Sequence, residues 1–309
     1  MYDLVIIGGG PAGVGAGVYA ARKKIKTVLI ADSFGGQSIV SNDVQNWIGM
    51  KSVTGLELAK MLEEHLRSYQ SGLDIWDNDL VVKIEKAGNG FIVSTKNGKT
   101  AETKTILVCS GGSRRRLGVP GEDKLDGKGV AWCATCDAPL FGGKTVAVVG
   151  GGNSGLESAI DLNSYADKLY LLHRGDKLKG DLITQEKILA MSKITVIYNA
   201  VVQEILGDKL VTGLRYKDII TGEERTLEVG GVFIEVGNVP NSAFIKDLVK
   251  TNDFGEIIAD ARTQQSSAAG IWAAGDVSDV KYKQNNISVG DAILAVLNIF
   301  DYLHRQNNS

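Results

Sequence analysis

The chain is short of three things. It holds three cysteines in 309 residues, too few for a disulfide framework in a chain of this size, and this favours a reducing, cytoplasmic setting. It has no apolar run near about 18 residues, and from Met1 it passes into "DLVIIGGG" without a basic n-region or a cleavage site, so neither membrane insertion nor secretion is expected. It also lacks a surplus of charge. Lys plus Arg number 34 against 36 Asp plus Glu, a formal net charge of -2, which leaves nothing to hold nucleic acid or an anionic membrane.

What remains is an ordinary globular composition, 44% hydrophobic and 23% charged, long enough for about two domains of ~150 residues. Glycine is in excess: 38 residues, about 12%, against a usual ~7%. No collagen-like period or low-complexity tract absorbs them. The expectation is tight turns where backbone approaches a ligand.

One plan occurs twice. "YDLVIIGGGPAGVGAGVYAARKKIKTVLIAD" runs apolar strand, Gly turn, Ala-rich helix, second apolar strand and acid, and "KTVAVVGGGNSGLESAIDLNSYADKLYLLHR" repeats it. Both read as βαβ units. Gly8, Gly10 and Gly13 form G-x-G-x-x-G between strand and helix, and Gly150, Gly152 and Gly155 hold the same offsets. There, free amides and the helix dipole can meet a pyrophosphate. One such motif in a Gly-rich chain is a weak signal; strand and helix context given twice makes it strong.

The second strands of the two units end differently. Asp32 is placed to accept hydrogen bonds from a ribose diol, whereas Arg174 is placed to meet a 2'-phosphate. Two different dinucleotides are implied. His173 either adds a phosphate contact or is an ordinary surface residue at a strand end. Lys177 and Lys179 add positive charge, as a solvated basic loop also would. These residues favour NADP on the second unit and leave NAD open.

Between and after the repeats, "TGLELAKMLEEHLRSYQ" reads as a helix, and "LVVKIEKAGNGFIVSTKNGKTAETKTILVCSGG" as an antiparallel meander with "NG" turns ending in a buried strand. "GEIIADARTQQSSAAGIWAAGDVSD" is strand-like, and "ISVGDAILAVLNIFDYLH" is an apolar helix whose natural place is back on the first lobe. The expected fold is therefore α/β, with two Rossmann-like, three-layer nucleotide-binding domains. Residues 114–241 are inserted into a discontinuous domain of 1–113 and 242–309. The run Arg114 to Arg116 reads as a solvated connector, or as a device for docking or for interdomain geometry.

Cys133 and Cys136 in "WCATCD" can be half of a metal site, a staple or a redox pair. A structural zinc site wants four ligands, and only Cys109 and the scattered His65, His173 and His304 are left. A staple over two intervening residues constrains little unfolded chain. Redox chemistry remains: the spacing permits a disulfide, and a helix start there helps to stabilise a thiolate. Asp137 can exchange a proton with a departing sulfur or cap a helix. Cys109, in "TILVCSGG", reads as a small buried residue.

Across essentially its whole length the chain resembles the low-molecular-weight thioredoxin reductases and the similar C-terminal flavoprotein part of alkyl hydroperoxide reductase. The motifs are "GGGPAG", "FGGQ" with "QNWIG", "WCATCD", "GGGNSG", "GNVPN", and "AAGDV" followed by "YKQ". The resemblance implies a homodimeric flavoenzyme with FAD on the first unit and NADPH, or NADH, on the inserted one. It implies that Gly8, Gly10, Pro11, Ala12, Gly13 and Asp32 hold the ADP half of FAD. Gly36, Gln37 and Asn46 would lie near the flavin with Gly111 on the same cofactor, Asp276 on the ribityl chain and Gln284 at the ring region. Gly150, Gly152, Asn153, Ser154, Gly155, His173, Arg174 and Lys179 would hold NADPH.

The resemblance further implies that electrons pass from NAD(P)H through the flavin to a Cys133–Cys136 disulfide. Cys136 would lie nearer the ring, and Cys133 would be freed to attack a thioredoxin-like protein. The inserted domain would alternate between two orientations. Reductases that use NADPH usually show "HRR" and a later Arg, whereas this chain has His173-Arg174-Gly175 and Lys179. One guanidinium is lost and another becomes a point charge. The alternatives are an NADH-dependent reductase of a peroxiredoxin system, a relative fed by a non-nicotinamide donor, and a nucleotide-binding redox sensor without turnover.

Overall fold

A computed structural model describes residues 1–41 and 44–307. These form two compact units, one of residues 1–41, 45–113 and 239–307, the other of Val44 and 114–238. The first unit begins with β1 (Tyr2–Gly9), α1 (Pro11–Arg22), β2 (Thr27–Phe34), α2 (Gly55–Arg67), β3 (Asp74–Trp76), β4 (Val81–Ala87), β5 (Gly90–Thr95) and β6 (Thr100–Val108). The chain crosses through β7 (Gly112–Arg114) into the second unit. That unit holds β8 (Val130–Ala131), α3 (Ala134–Asp137), β9 (Thr145–Val149), α4 (Asn153–Asn163), β10 (Lys168–Leu172), α5 (Leu182–Ala190) and β11 (Ile194–Ile197). It ends with β12 (Ala200–Gly207), β13 (Val211–Asp218), β14 (Glu224–Glu228) and β15 (Gly231–Ile234). The return is β16 (Asn238–Pro240), paired with β7, and the chain finishes with β17 (Ile271–Ala273) and α6 (Asn285–Asn307).

In the first unit β1 is apolar on both faces because both are covered. Leu4 and Ile6 join a core with α1 and α6, while Val5 and Ile7 join a second core with β4, β5 and β6. Parallel strands covered twice read as continuous apolar runs. The sheet order is β3-β2-β1-β6-β5-β4, and β6 serves two neighbours in turn. Its first half pairs antiparallel with β5, and Ile106 to Val108 pair parallel with β17. α2 starts at a capping box: Thr54 Oγ1 accepts from Glu57 N, and the Glu57 carboxylate accepts from Thr54 N.

α6 is the one helix among the described residues that is long and apolar enough, over Asn285–Arg305, to cross a membrane. Its Ala292, Ala295, Val296, Ile299 and Leu303 form a stripe at helical spacing, buried in the core shared with α1. One expectation fails. "GEIIAD" makes only isolated bridges, at Ile257 and Ala259. The side chains of Asn252 and Asp260 accept hydrogen bonds from backbone amides two to four residues on, which curls the chain into turns instead of a ladder.

The second unit has the parallel order β11-β10-β9-β15-β8 and a separate antiparallel β12-β13-β14 layer. Val146 and Val148 face α4, and Ala147 and Val149 face the β12–β14 layer. The unit is three-layered.

Candidate cofactor and redox sites

In the first unit the glycines divide by task. Gly8 has φ +117°, and a Cβ there would collide with the Cys109 carbonyl; one on Gly13 would strike the Gly8 carbonyl. These two let α1 seat on its strand. Gly10 has room for a Cβ only in ordinary contact with Gly36, whose Cα would lie 3.7 Å away. Pro11 opens α1 at a position that needs no amide donor, and Gly35 N donates to Gly9 O at 3.0 Å, which lays Gly36 beside the loop. An added Cβ on Gly275 would come within 3.4 Å of Ala12 Cβ, so the Gly275–Asp276 turn lies at the same helix terminus.

That turn is buttressed. Ser278 Oγ donates to Gly275 O at 2.7 Å, and Lys283 Nζ donates to Asp276 O at 3.3 Å and Ser278 O at 2.5 Å while pairing with Glu256 at 2.9 Å. Ser288 Oγ reaches Asp276 Oδ1 at 3.4 Å. Asn46 Nδ2 donates to Gln284 Oε1 at 3.1 Å, so these two site residues meet directly. Gln37 Nε2 donates to Gly112 O, next to Gly111, whose φ is +64°. The β1–β2 register shifts between Ile7↔Ile30 and Gly9↔Phe34, and Asp32 lies exposed in that irregular stretch.

The second unit repeats the division. Gly150 has φ +133° and would collide with the Glu235 carbonyl if given a Cβ, Gly155 would collide with the Gly150 carbonyl, and Gly152 has nothing within 4 Å. Lys179 N donates to Gly151 O at 2.7 Å, and Asp181 N donates to Asn153 Oδ1 at 2.8 Å. The 174–179 loop is thereby brought onto the glycine loop, with Asn153, Ser154, Arg174, Lys177 and Lys179 exposed.

His173 departs from the reading of an ordinary surface residue. It is buried, its ring fills the slot left by the missing side chains of Gly151 and Gly175, and its Nε2 has no partner. Burial lowers its pKa, and the charges of Lys179 and Arg174 lower it further against an opposing backbone hydrogen bond. The imidazole is a neutral hydrogen-bonding group at neutral pH.

Cys133 and Cys136 form a disulfide, with Cα atoms 5.3 Å apart. Cys133 is the N-cap of α3, and Asp137 N donates to Cys133 O at 3.0 Å. Thr135, between the cysteines, donates from Oγ1 to Asp161 Oδ2 on α4 at 3.1 Å. Trp132 is fixed by Asp126 at 2.9 Å and carries the guanidinium groups of Arg114 and Arg116 over its ring. Arg116 also pairs with Asp123 at 2.6 Å and Asp126 at 3.1 Å, so this part of the basic run is tied to its own unit. Cys109 is a free, buried thiol whose pKa burial pushes far up; it is inert at neutral pH.

Two polar residues were not singled out from sequence. Lys283 lies in "YKQ", and Glu235 interrupts the apolar run "GVFIEVG" directly after β15. Ser158 Oγ donates to Glu235 Oε1 at 2.7 Å. Burial pushes the Glu235 pKa up to about 7, against the Ser158 hydrogen bond and the charge of Arg114.

The family described as "Pyridine nucleotide-disulphide oxidoreductase" matches residues 2–292. An alkyl hydroperoxide reductase subunit of Staphylococcus aureus (strain MRSA252) is 41% identical over 304 residues, 98% of this chain and 59% of that protein. The NADH dehydrogenase of Bacillus subtilis (strain 168) gives the same identity and coverage. The chain thus spans 59% of the length of these curated relatives. Among solved structures, thioredoxin reductase from Streptococcus pyogenes MGAS5005 has a TM-score of 0.90 at 36% identity over 99% of both chains. Thioredoxin reductase from Giardia duodenalis has 0.90 at 31%, over 98% of this chain and 99% of its own. The resemblance read from the motifs and the α/β fold with two dinucleotide-binding domains both hold.

Proposed function

This chain belongs to the pyridine nucleotide-disulphide oxidoreductase family, and from that premise we propose that it is a flavin-dependent NADPH:protein-disulfide reductase whose acceptor is a thioredoxin-like protein. The observation that carries this reading is the Cys133–Cys136 disulfide on a unit that also holds a nucleotide-type glycine loop, with a second such loop in the other unit. In this reading residues 1–113 with 242–309 take FAD and residues 114–241 take NADPH. The resemblance adds a homodimer and a cytoplasmic setting.

The residues present fit FAD: a side-chain-free loop of Gly10 beside Gly36, the helix terminus at Pro11 to Gly13, and the Asp32 and Asp276 carboxylates for sugar hydroxyls. When bound, FAD would supply a two-electron relay between nicotinamide and disulfide. Gly152 leaves room for the second pyrophosphate. Arg174 and Lys179 meet a 2'-phosphate, and His173, buried under Gly151 and Gly175, supports the loop that carries them without reaching the phosphate itself. Reduction breaks the Cys133–Cys136 bond, and Asp137 exchanges a proton with the departing sulfur. Cys133 then attacks the acceptor's disulfide to form a mixed disulfide, which Cys136 resolves as the Cys133–Cys136 bond re-forms.

A second reading is an NADH-dependent reductase of a peroxiredoxin system. It is favoured by the 41% identity to the alkyl hydroperoxide reductase polypeptide and by a His173 that brings no charge to a 2'-phosphate. One experiment tests both. The flavin-loaded protein is mixed anaerobically with equimolar NADPH or NADH, bleaching is followed, and thioredoxin-like and peroxiredoxin-linked acceptors are then offered. Faster bleaching with NADPH and reduction of thioredoxin support the first reading; faster bleaching with NADH moves the assignment to the second. No bleaching with either nucleotide refutes both.

A further inference from the structure

Glu235 lies beside the glycine loop of the second unit and under the helix that also holds the redox segment. It directly follows β15, which runs between β9 and β8. Against β9, the pairs Phe233↔Val148 and Ile234↔Val149 bring Glu235 level with Gly150, and Glu235 N donates to Val149 O at 2.8 Å. Against β8, the pairs are Val232↔Val130 and Phe233↔Ala131, where the ladder ends, and Cys133 follows two residues on, past a bend at Trp132. Cys133 is itself extended, at φ -148° and ψ 103°. Phe233 and Ala131 both lie in the core under α4, and side chains alternate along extended chain, so Glu235, two residues on from Phe233, faces α4, as the start of the redox segment at Ala131 does. Helix α4 covers both, through Ser158 to Glu235 and through Asp161 to Thr135 between the cysteines.

We propose that Glu235 is a proton-holding positioning residue for the Cys133–Cys136 couple, taking up a proton when the disulfide is reduced and releasing it on reoxidation. This rests on the disulfide chemistry proposed above. The pyridine nucleotide supplies two electrons and one proton, which convert the disulfide to one thiol and one thiolate. A second proton, from solvent, goes to the Glu235 carboxylate and balances the thiolate charge. Reoxidation passes both electrons and the thiol proton to the substrate disulfide, as the Cys133–Cys136 bond re-forms, and releases the carboxyl proton to solvent.

The surroundings suit this task. Ser158 and the charge of Arg114 on β7 favour the carboxylate, whereas burial and the Glu157 and Asp161 charges on α4 favour the acid. Asp137 closes α3 behind Cys136. With the disulfide closed these effects leave Glu235 titrating at about 7, and a nearby thiolate lifts that value. The free-energy link runs both ways, so protonating Glu235 favours the reduced pair.

The test is the pH dependence of the disulfide equilibrium in the FAD-loaded, full-length protein. It is equilibrated in dithiothreitol redox buffers between about pH 6 and 8.5, and thiols are trapped by alkylation and counted by mass. Around pH 8, where the carboxyl is ionised with the disulfide closed, the wild-type reduction constant should fall up to about tenfold more per pH unit than that of Glu235→Gln, equivalent to about 30 mV for a two-electron couple. Glutamine keeps the shape and the Ser158 bond, so a purely structural role leaves the slopes equal, and equal slopes overturn the proposal. Should E235Q fail to fold, Ser158→Ala decides. Loss of a hydrogen bond to the carboxylate moves the steep window to higher pH, and an unmoved window overturns the proposal. A pair that does not equilibrate with dithiothreitol at all brings down the disulfide reading itself, a different and distinguishable result.

Discussion

Replacing Gly152 and Gly155 by alanine, one at a time, separates a glycine kept for ligand from one kept for packing. An added Cβ at Gly155 runs into the Gly150 carbonyl, a backbone atom that cannot swing aside. Overpacking of this kind costs about 3 kcal/mol at its upper end, and alanine's better helix propensity returns about 1 kcal/mol. The net loss is about 2 kcal/mol, or roughly 5–10 °C in Tm for a unit of this size. At Gly152, φ is -91° and ψ -177°, which alanine accepts, and no atom lies within 4 Å. The cost to folding is the weaker N-cap preference, about 0.5–1 kcal/mol. The open space is where a pyrophosphate would approach. G152A should therefore keep its Tm within a few degrees and lose NADPH affinity by about tenfold or more, roughly 1.4 kcal/mol. Scanning calorimetry and nucleotide titration by fluorescence check the pair. A G152A protein that binds NADPH like the wild type refutes the assignment of this loop to a nucleotide.

Other outcomes follow from single contacts. Arg174→Ala should raise the KM for NADPH about tenfold and leave that for NADH unchanged, as steady-state kinetics with both nucleotides will show. Cys136→Ser should still allow nicotinamide to bleach the flavin but abolish reduction of any protein disulfide. Thr54→Ala removes a capping box and should cost about 1 kcal/mol of the first unit's stability in urea titration. Glu235 has a folded pKa of about 7, raised from 4.5, so its contribution to stability is complete below about pH 4.5 and is lost as pH rises through about 7. Glu235→Gln should flatten that fall, on the order of 3 kcal/mol in unfolding free energies taken across the range.

The nucleotide loops were legible because their glycines answer local demands that only glycine meets. Gly8 and Gly150 need positive φ, and Gly13 and Gly155 touch a carbonyl. The meander was legible through turns at Gly88 and Gly98, both at positive φ, and through alternation on one covered face. Residues whose role depends on a distant partner were not legible. The slot for His173 is made by Gly151 and Gly175, and the acid in "GVFIEVG" becomes partly buried only because α4 brings Ser158 over it. The 252–263 stretch was misread for a local reason: Asn252 and Asp260 take hydrogen bonds from amides just ahead of them and curl an apparently strand-like segment into turns.

The divided loyalty of β6 has a consequence for synthesis. Its C-terminal half waits for β17, which leaves the ribosome only after the whole second unit has been made. Left as open chain, the ~160 residues between β6 and β17 would cost about 4.5 kcal/mol in closure entropy before β17 could dock. A second unit that has already folded on its contiguous stretch pairs β7 with β16 and delivers the returning chain next to its point of departure. The inserted unit thereby acts as a splint for its host. Truncations that end inside residues 200–235 should strand the first unit with an unfilled sheet edge, exposed to aggregation, whereas a chain ending after α6 closes it.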